Sequence, residues 1–183
     1  MNFRKFLVAQ SILVAASSVV FPFYLLLIRN IGDSYSQFGW AYGLFTLTAA
    51  FTYPLIGRLG DRFGDKNMLL MYTLGMAAVM LIIPLLFEVW QVYVIQIVMG
   101  ILGAVQKNTE KAFLARSNDK DTAGKRIGNY HLHLSLWSGI GIILTGYLID
   151  FLTIASLFYL ISFVYMIASF VIIKKHKDEP TIS

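Results

Sequence analysis

Gly57-Arg58-Leu59-Gly60-Asp61-Arg62-Phe63-Gly64-Asp65-Lys66 is a short island of charge between two long apolar stretches. Residues 34–57 before it and 67–87 after it contain no Asp, Glu, Lys or Arg. Four more charge-free windows follow the same rule, at 6–28, 89–106, 127–149 and 151–173. About 20 helical residues at a rise of about 1.5 Å cross a hydrocarbon core about 30 Å thick, so each window is long enough to span. A helix satisfies its own backbone in lipid, and nothing here alternates as barrel strands would. The expectation is an all-α membrane protein with six transmembrane helices, forming a single domain over 1–183.

Composition points the same way. Of 183 residues, 57% are hydrophobic and only 14% are charged, against roughly a quarter in soluble domains, and the mean hydropathy is +0.68. Fourteen of the 15 Lys and Arg residues fall on one side of the six-span arrangement, leaving Arg29 alone on the other. The basic side is cytoplasmic by the positive-inside rule, so both termini are expected there, in a multi-pass protein of the cell membrane. Orientation thus accounts for the net charge of +5, and no nucleic-acid partner is needed to explain it. The first window also allows a second parse, a cleaved signal peptide cored on 6–16. The apolar run continues through Val19 to Ile28, which favours the spanning helix.

With no cysteine and three histidines, thiolate chemistry is excluded and no metal site or cofactor is expected. Nothing has the spacing of a nucleophile–His–acid set, a phosphate-binding glycine loop or paired carboxylates, so an enzyme is not expected.

The charged island resembles the signature loop of the major facilitator superfamily, which reads Gly, three variable residues, Asp-Arg, one variable residue, Gly and two basic positions. Gly57, Asp61, Arg62, Gly64 and Lys66 match, after the second of six spans, and Asp65 departs from the usual basic residue. Physical chemistry gives each residue a task. Gly57 permits close approach, Gly64 a positive φ, Asp61 can accept from N–H groups or a basic residue at a nearby helix N-terminus, and Arg62 can reach an acid such as Glu110. Exchangeable contacts of this kind can latch a conformation.

The resemblance covers essentially the whole chain and is closest to the N-terminal half of a superfamily transporter. It implies one of two six-helix bundles that hold solute midway between them and rock in alternating access. With one bundle before Ser183, the simplest completion is a parallel homodimer. By the same resemblance, Asp61 of one subunit should face residues 125–128 of the other.

Polar residues inside the windows suggest where solute binds. Windows 67–87 and 151–173 hold only Ser, Thr, Tyr and Asn67, and look peripheral. Windows 6–28, 89–106 and 127–149 hold Gln10, Gln96, Gln106, His131, His133 and Trp137, which are costly to point at lipid. Gln10, Ser17 and Tyr24 share a stripe at seven-residue steps; Gln96, Gly100 and Gly103 share another, and Tyr130, His133 and Trp137 a third. The candidate substrate-binding residues are therefore Gln10, Ser17, Tyr24, Gln96, His133 and Trp137. Amides and tyrosines beside an aromatic ring suit a neutral polar solute such as a sugar. Gly39, Gly43, Gly100, Gly103, Gly139, Gly141 and Gly146 read as close-packing positions.

No charged residue falls near mid-span, and Gln96 occupies the fourth-helix position where the family often has arginine. Residues 139–146 lack the proline of drug antiporters. A facilitator of a neutral solute is expected, with His133 as the group that would carry a proton if transport is coupled. The rival readings are a non-transporting membrane subunit and a heterodimer partner of another half-length chain.

Overall fold

The computed structural model describes residues 2–31, 34–117 and 123–174, with Tyr24 the one described side chain between 21 and 31. Five α-helices and one 3₁₀ turn account for nearly all of it, and no strand occurs among the described residues. The helices are α1 (Phe3–Ile31), α2 (Tyr35–Ile82), α3 (Val89–Ser117), α4 (Ala123–Leu148) and α5 (Ile154–Ile173), with the 3₁₀ turn at Ile83–Leu85.

Local chemistry sets the boundaries. Ser34 caps α2 by accepting from the Gln37 N–H at 3.4 Å, and Thr153 caps α5 by accepting from the Ser156 N–H at 3.2 Å. Pro84 sits in the 3₁₀ turn that follows α2, where its missing N–H leaves no helical bond to continue. Gln91 Oε1 then accepts from the N–H groups of Phe87 and Glu88 at 2.8 and 3.1 Å, covering donors at the start of α3.

The expected separation between the second and third windows is a fold-back within α2. Gly64 is the one non-helical residue inside its 48 residues, at φ 77° and ψ 156°. Phe45 and Tyr72 line the same cavity, although a straight helix would put them about 40 Å apart. The two arms, 35–63 and 65–82, therefore lie side by side. Glycine is needed at the reversal because the left-handed region is strained for side chains with a Cβ.

Helices also run past the charge-free windows. α3 continues to Ser117 and α4 begins at Ala123, so much of 107–126, expected as a connection, is helical. Charged residues end a lipid-facing segment without ending a helix. Among the described residues four helices are long and apolar enough to cross a membrane, with α2 and its 3₁₀ turn counted as one. α4, carrying Asn129, His131 and His133 in its first half, is not among them.

α2 packs along α3 and against α5, whereas α1 packs against α4 and α5. Their buried residues form one hydrophobic core. Gly100 sets the closest approach: a Cβ there would sit 2.5 Å from the Phe45 carbonyl oxygen and 3.0 Å from Thr48 Cβ. Gly141 meets the Ala15 backbone in the same way, at 3.2 Å. Gly103 meets the Phe45 ring, but a Cβ added at Gly39, Gly43, Gly139 or Gly146 would meet no atom within 4 Å among the described residues.

The two windows expected to be peripheral are joined to each other. Ser162 Oγ donates to the Ala77 carbonyl at 2.8 Å, and the buried hydroxyls of Tyr72 and Tyr165 meet at 3.3 Å.

Gly100→Ala should lower the thermal midpoint in detergent, by an overpacking cost of about 1–3 kcal/mol, because neither backbone can yield locally. Thermal unfolding followed by tryptophan fluorescence checks this, and an unchanged midpoint would contradict the tight α2–α3 contact.

Candidate functional site

α1 and α3 touch sparingly, and the space between them is closed by the arms of α2. A cavity of about 330 Å³ results. It lies within the usual range of small-molecule sites, about 300–1,000 Å³. α1 contributes Ser17, Val20 and Tyr24, one helical face at three- and four-residue steps. Gln96, Met99 and Gly103 from α3 form the opposite wall.

The first arm of α2 adds Phe38, Tyr42 and Phe45, whose rings stack in sequence at centroid distances of 6.4 and 6.0 Å. From the second arm come Tyr72 and Met76. The Tyr72 ring stands at 83° to that of Tyr165, and its hydroxyl is engaged with Tyr165, so it offers the cavity mostly apolar surface.

Little polar capacity remains. Ser17 Oγ donates back to the Val14 carbonyl at 3.1 Å. The Tyr24 hydroxyl is buried and, among the described residues, has no partner in hydrogen-bond geometry, with the Gln96 side chain beside it. Among the described residues, none that lines the cavity is charged.

Three of the six sequence-based candidates, Ser17, Tyr24 and Gln96, thus meet in one cavity. Gln10 lies outside the lining and fully buried, where its Oε1 accepts from Gln106 Nε2 at 3.0 Å while its own Nε2 has no partner. Below that bridge Phe6 stacks on Phe113 at 3.8 Å, and Tyr130 lies 6.2 Å from Phe6, sealing this end with aromatic rings. His133 is exposed, its Nδ1 paired with the Asn129 carbonyl at 2.7 Å, and Trp137 is 52% exposed; neither lines the cavity. The buried line of α4 instead runs through Tyr130, Leu134 and Thr145, with His133 and Trp137 to one side.

The charged loop is held differently from the sequence expectation. Among the described residues no ion pair joins Arg62 to Glu110; the Arg62 guanidinium lies 5.7 Å from the Phe63 ring centroid, and Glu110 is half-buried on α3. Arg116, in the last turn of α3, is the cation that matters. It pairs with Asp61 at 3.6 Å and hydrogen-bonds Asp65, binding both sides of the Gly64 reversal to α3. Asp61 remains 79% exposed, whereas the Asp65 side chain is only 18% exposed. Asp65 therefore uses its departure from the usual basic residue to reach Arg116. Lys66 is exposed, and Gly57 has open space around it.

These features agree with the comparisons. The family model of the major facilitator superfamily matches residues 6–183, and the chain belongs to that superfamily. Its members are membrane transport proteins rather than enzymes, which implies a multi-pass membrane location. An uncharacterized MFS-type transporter of Bacillus subtilis (strain 168), YitZ, is 45% identical over 159 residues, 87% of this chain and 97% of that protein. Two proteins named multidrug resistance protein MdtG, from Dickeya zeae (strain Ech586) and Proteus mirabilis (strain HI4320), are 31% and 30% identical over 84% and 80% of this chain. The match covers only 38% and 37% of their own lengths, so the chain spans little more than a third of these longer relatives.

The amide bridge gives a test of the polar interior. Gln106→Leu should destabilise the protein by about 1–3 kcal/mol, because it leaves a buried Gln10 amide wholly unpaired, and adding Gln10→Leu should recover part of that loss. Thermal midpoints of the single and double variants measure it; additive losses would contradict a direct pairing.

Proposed function

We propose that this chain is half of a secondary carrier that binds a neutral, amphipathic aromatic solute in the cavity between α1, α2 and α3. The carrying observation is the lining: stacked aromatic rings and two methionines around a small polar point at Tyr24 and Gln96. A sugar needs many hydrogen bonds at its edges, and the Ser17 and Tyr72 hydroxyls are engaged elsewhere. The expected sugar-type solute therefore has little support, and Trp137, offered as its stacking partner, lies outside the lining. The names of the MdtG relatives favour the amphipathic class.

In this reading the chain crosses the membrane six times, with both termini cytoplasmic. An unbroken helix the length of α2 would measure about 70 Å, more than twice the hydrocarbon thickness, so a reversal at Gly64 suits two passes. Two copies related by an axis along the membrane normal would supply the second bundle and rock between inward- and outward-open states. The Bacillus relative, matched over 97% of its length, supports a working unit of single-bundle size. Pairing with a different half-length chain is the alternative that a mass measurement separates.

Binding of tritiated N-phenyl-1-naphthylamine to protein in nanodiscs, corrected with empty discs, tests the solute class. Tyr24→Phe and Gln96→Leu should each weaken it about three- to tenfold, the worth of one hydrogen bond. Saturable binding of glucose instead would restore the sugar reading. Binding of neither, by protein that is folded, would favour a non-transporting subunit.

A further inference from the structure

The helices are not held together evenly. Where α2 meets α3, and where α1 meets α4, the backbones approach closely at Gly100 and at Gly141. Seams closed in that way part only when whole helices move. Between α1 and α3 the closure is of another kind: the two helices scarcely touch, and side chains span the gap.

These side chains stand in tiers between the cavity and the end of the bundle where α1 and α4 begin. Nearest the cavity is the Gln10–Gln106 bridge, about two turns from Ser17 along α1 and about one turn from Gly103 along α3. The Phe6 ring comes next, between Phe113 of α3 and Tyr130 of α4, at centroid distances of 3.8 and 6.2 Å. Arg126 of α4 straps the last tier. Its guanidinium lies 5.2 Å from the Phe3 ring centroid, and its Nη1 donates to the Ser117 carbonyl at 3.1 Å, tying the start of α1 to the end of α3.

Closure leaves polar atoms short of partners. Gln10 and Tyr130 are almost wholly buried. Among the described residues neither Gln10 Nε2 nor the Tyr130 hydroxyl has a partner in hydrogen-bond geometry, although the Glu110 carboxylate lies beside the tyrosine. An unpaired buried polar group costs free energy that hydration recovers. A seam that stays shut has no use for such groups, whereas one that opens to water is stabilised by them when open.

We propose that this seam is a gate: solute held beside Ser17 and Gln96 leaves toward the Arg126 end by passing between α1 and α3 of a single chain. The inference rests on the cavity reading above for where solute sits, and adds its way out. Each tier is made of side-chain contacts, so rotamer changes with a modest tilt of one helix open it and leave the Gly100 and Gly141 contacts in place.

The chain has no cysteine, so Ser17→Cys puts a single thiol in the cavity. Its modification by MTSET, a membrane-impermeant thiosulfonate, is timed in native membrane vesicles of both orientations. From the Arg126 side the closed tiers should keep the reaction slow. Phe113→Ala and Arg126→Ala should each speed it about three- to tenfold, the worth of one aromatic or cation–π contact removed from the closed state. Phe158→Ala, which removes an equally buried ring from α5 near the opposite end, should leave the rate unchanged. Reaction in the Ser17→Cys parent as fast as in the gate variants, or equal acceleration by Phe158→Ala, would overturn the gate. Should Phe113→Ala fail to insert, Arg126→Ala, on a half-buried side chain at the end of the bundle, carries the test. Binding of N-phenyl-1-naphthylamine separates the two readings. Accelerated modification without binding removes the solute class and keeps the gate, whereas binding with an unresponsive thiol removes the gate alone.

Discussion

The fold depends on one residue's freedom to take a positive φ. In hydrocarbon the backbone must stay hydrogen-bonded to itself, so the chain makes its turns where it meets water. At Gly64 one glycine does so, and helical bonding resumes at once on either side. The two arms then frame α3, bringing Phe45 from one and Tyr72 from the other to the same cavity. Arg116 fixes the geometry of the turn by holding an acid on each arm.

Inside the bundle, hydrogen bonds are few and specific. The Gln10–Gln106 bridge spans helices whose backbones stay apart, and the Tyr72–Tyr165 and Ser162–Ala77 contacts join α5 to the second arm of α2. Oily side chains pack in several registers at similar energy, whereas a buried amide or hydroxyl is satisfied in only a few. These contacts therefore select one arrangement of the helices, and the cavity between α1 and α3 inherits its shape from them.

Charge-free windows made the helical architecture readable, because charge marks where a chain leaves lipid. They could not reveal helix ends, since α3 continues through Lys107, Glu110 and Lys111 into water without losing a hydrogen bond. Ser17, Tyr24 and Gln96 were legible because polar groups in a span need a reason to be there. Phe38, Tyr42 and Phe45 gave no such signal: an aromatic facing a cavity and one facing lipid look alike in a sequence. The turn composition anticipated Gly64, but Arg116 was hidden in what read as a connection. Tyr130, His133 and Trp137 share a helical face by spacing, yet α4 buries only the first of them.

The Arg116 clamp sits where water reaches it, with half the arginine side chain and most of Asp61 uncovered. Dissolved salt screens such pairs over about 8 Å at physiological ionic strength and over shorter distances as concentration rises. The Gln10–Gln106 bridge is shielded from that influence. One end of the α2 hairpin is thus sensitive to the ionic strength of the surrounding medium, while the interior it supports is not.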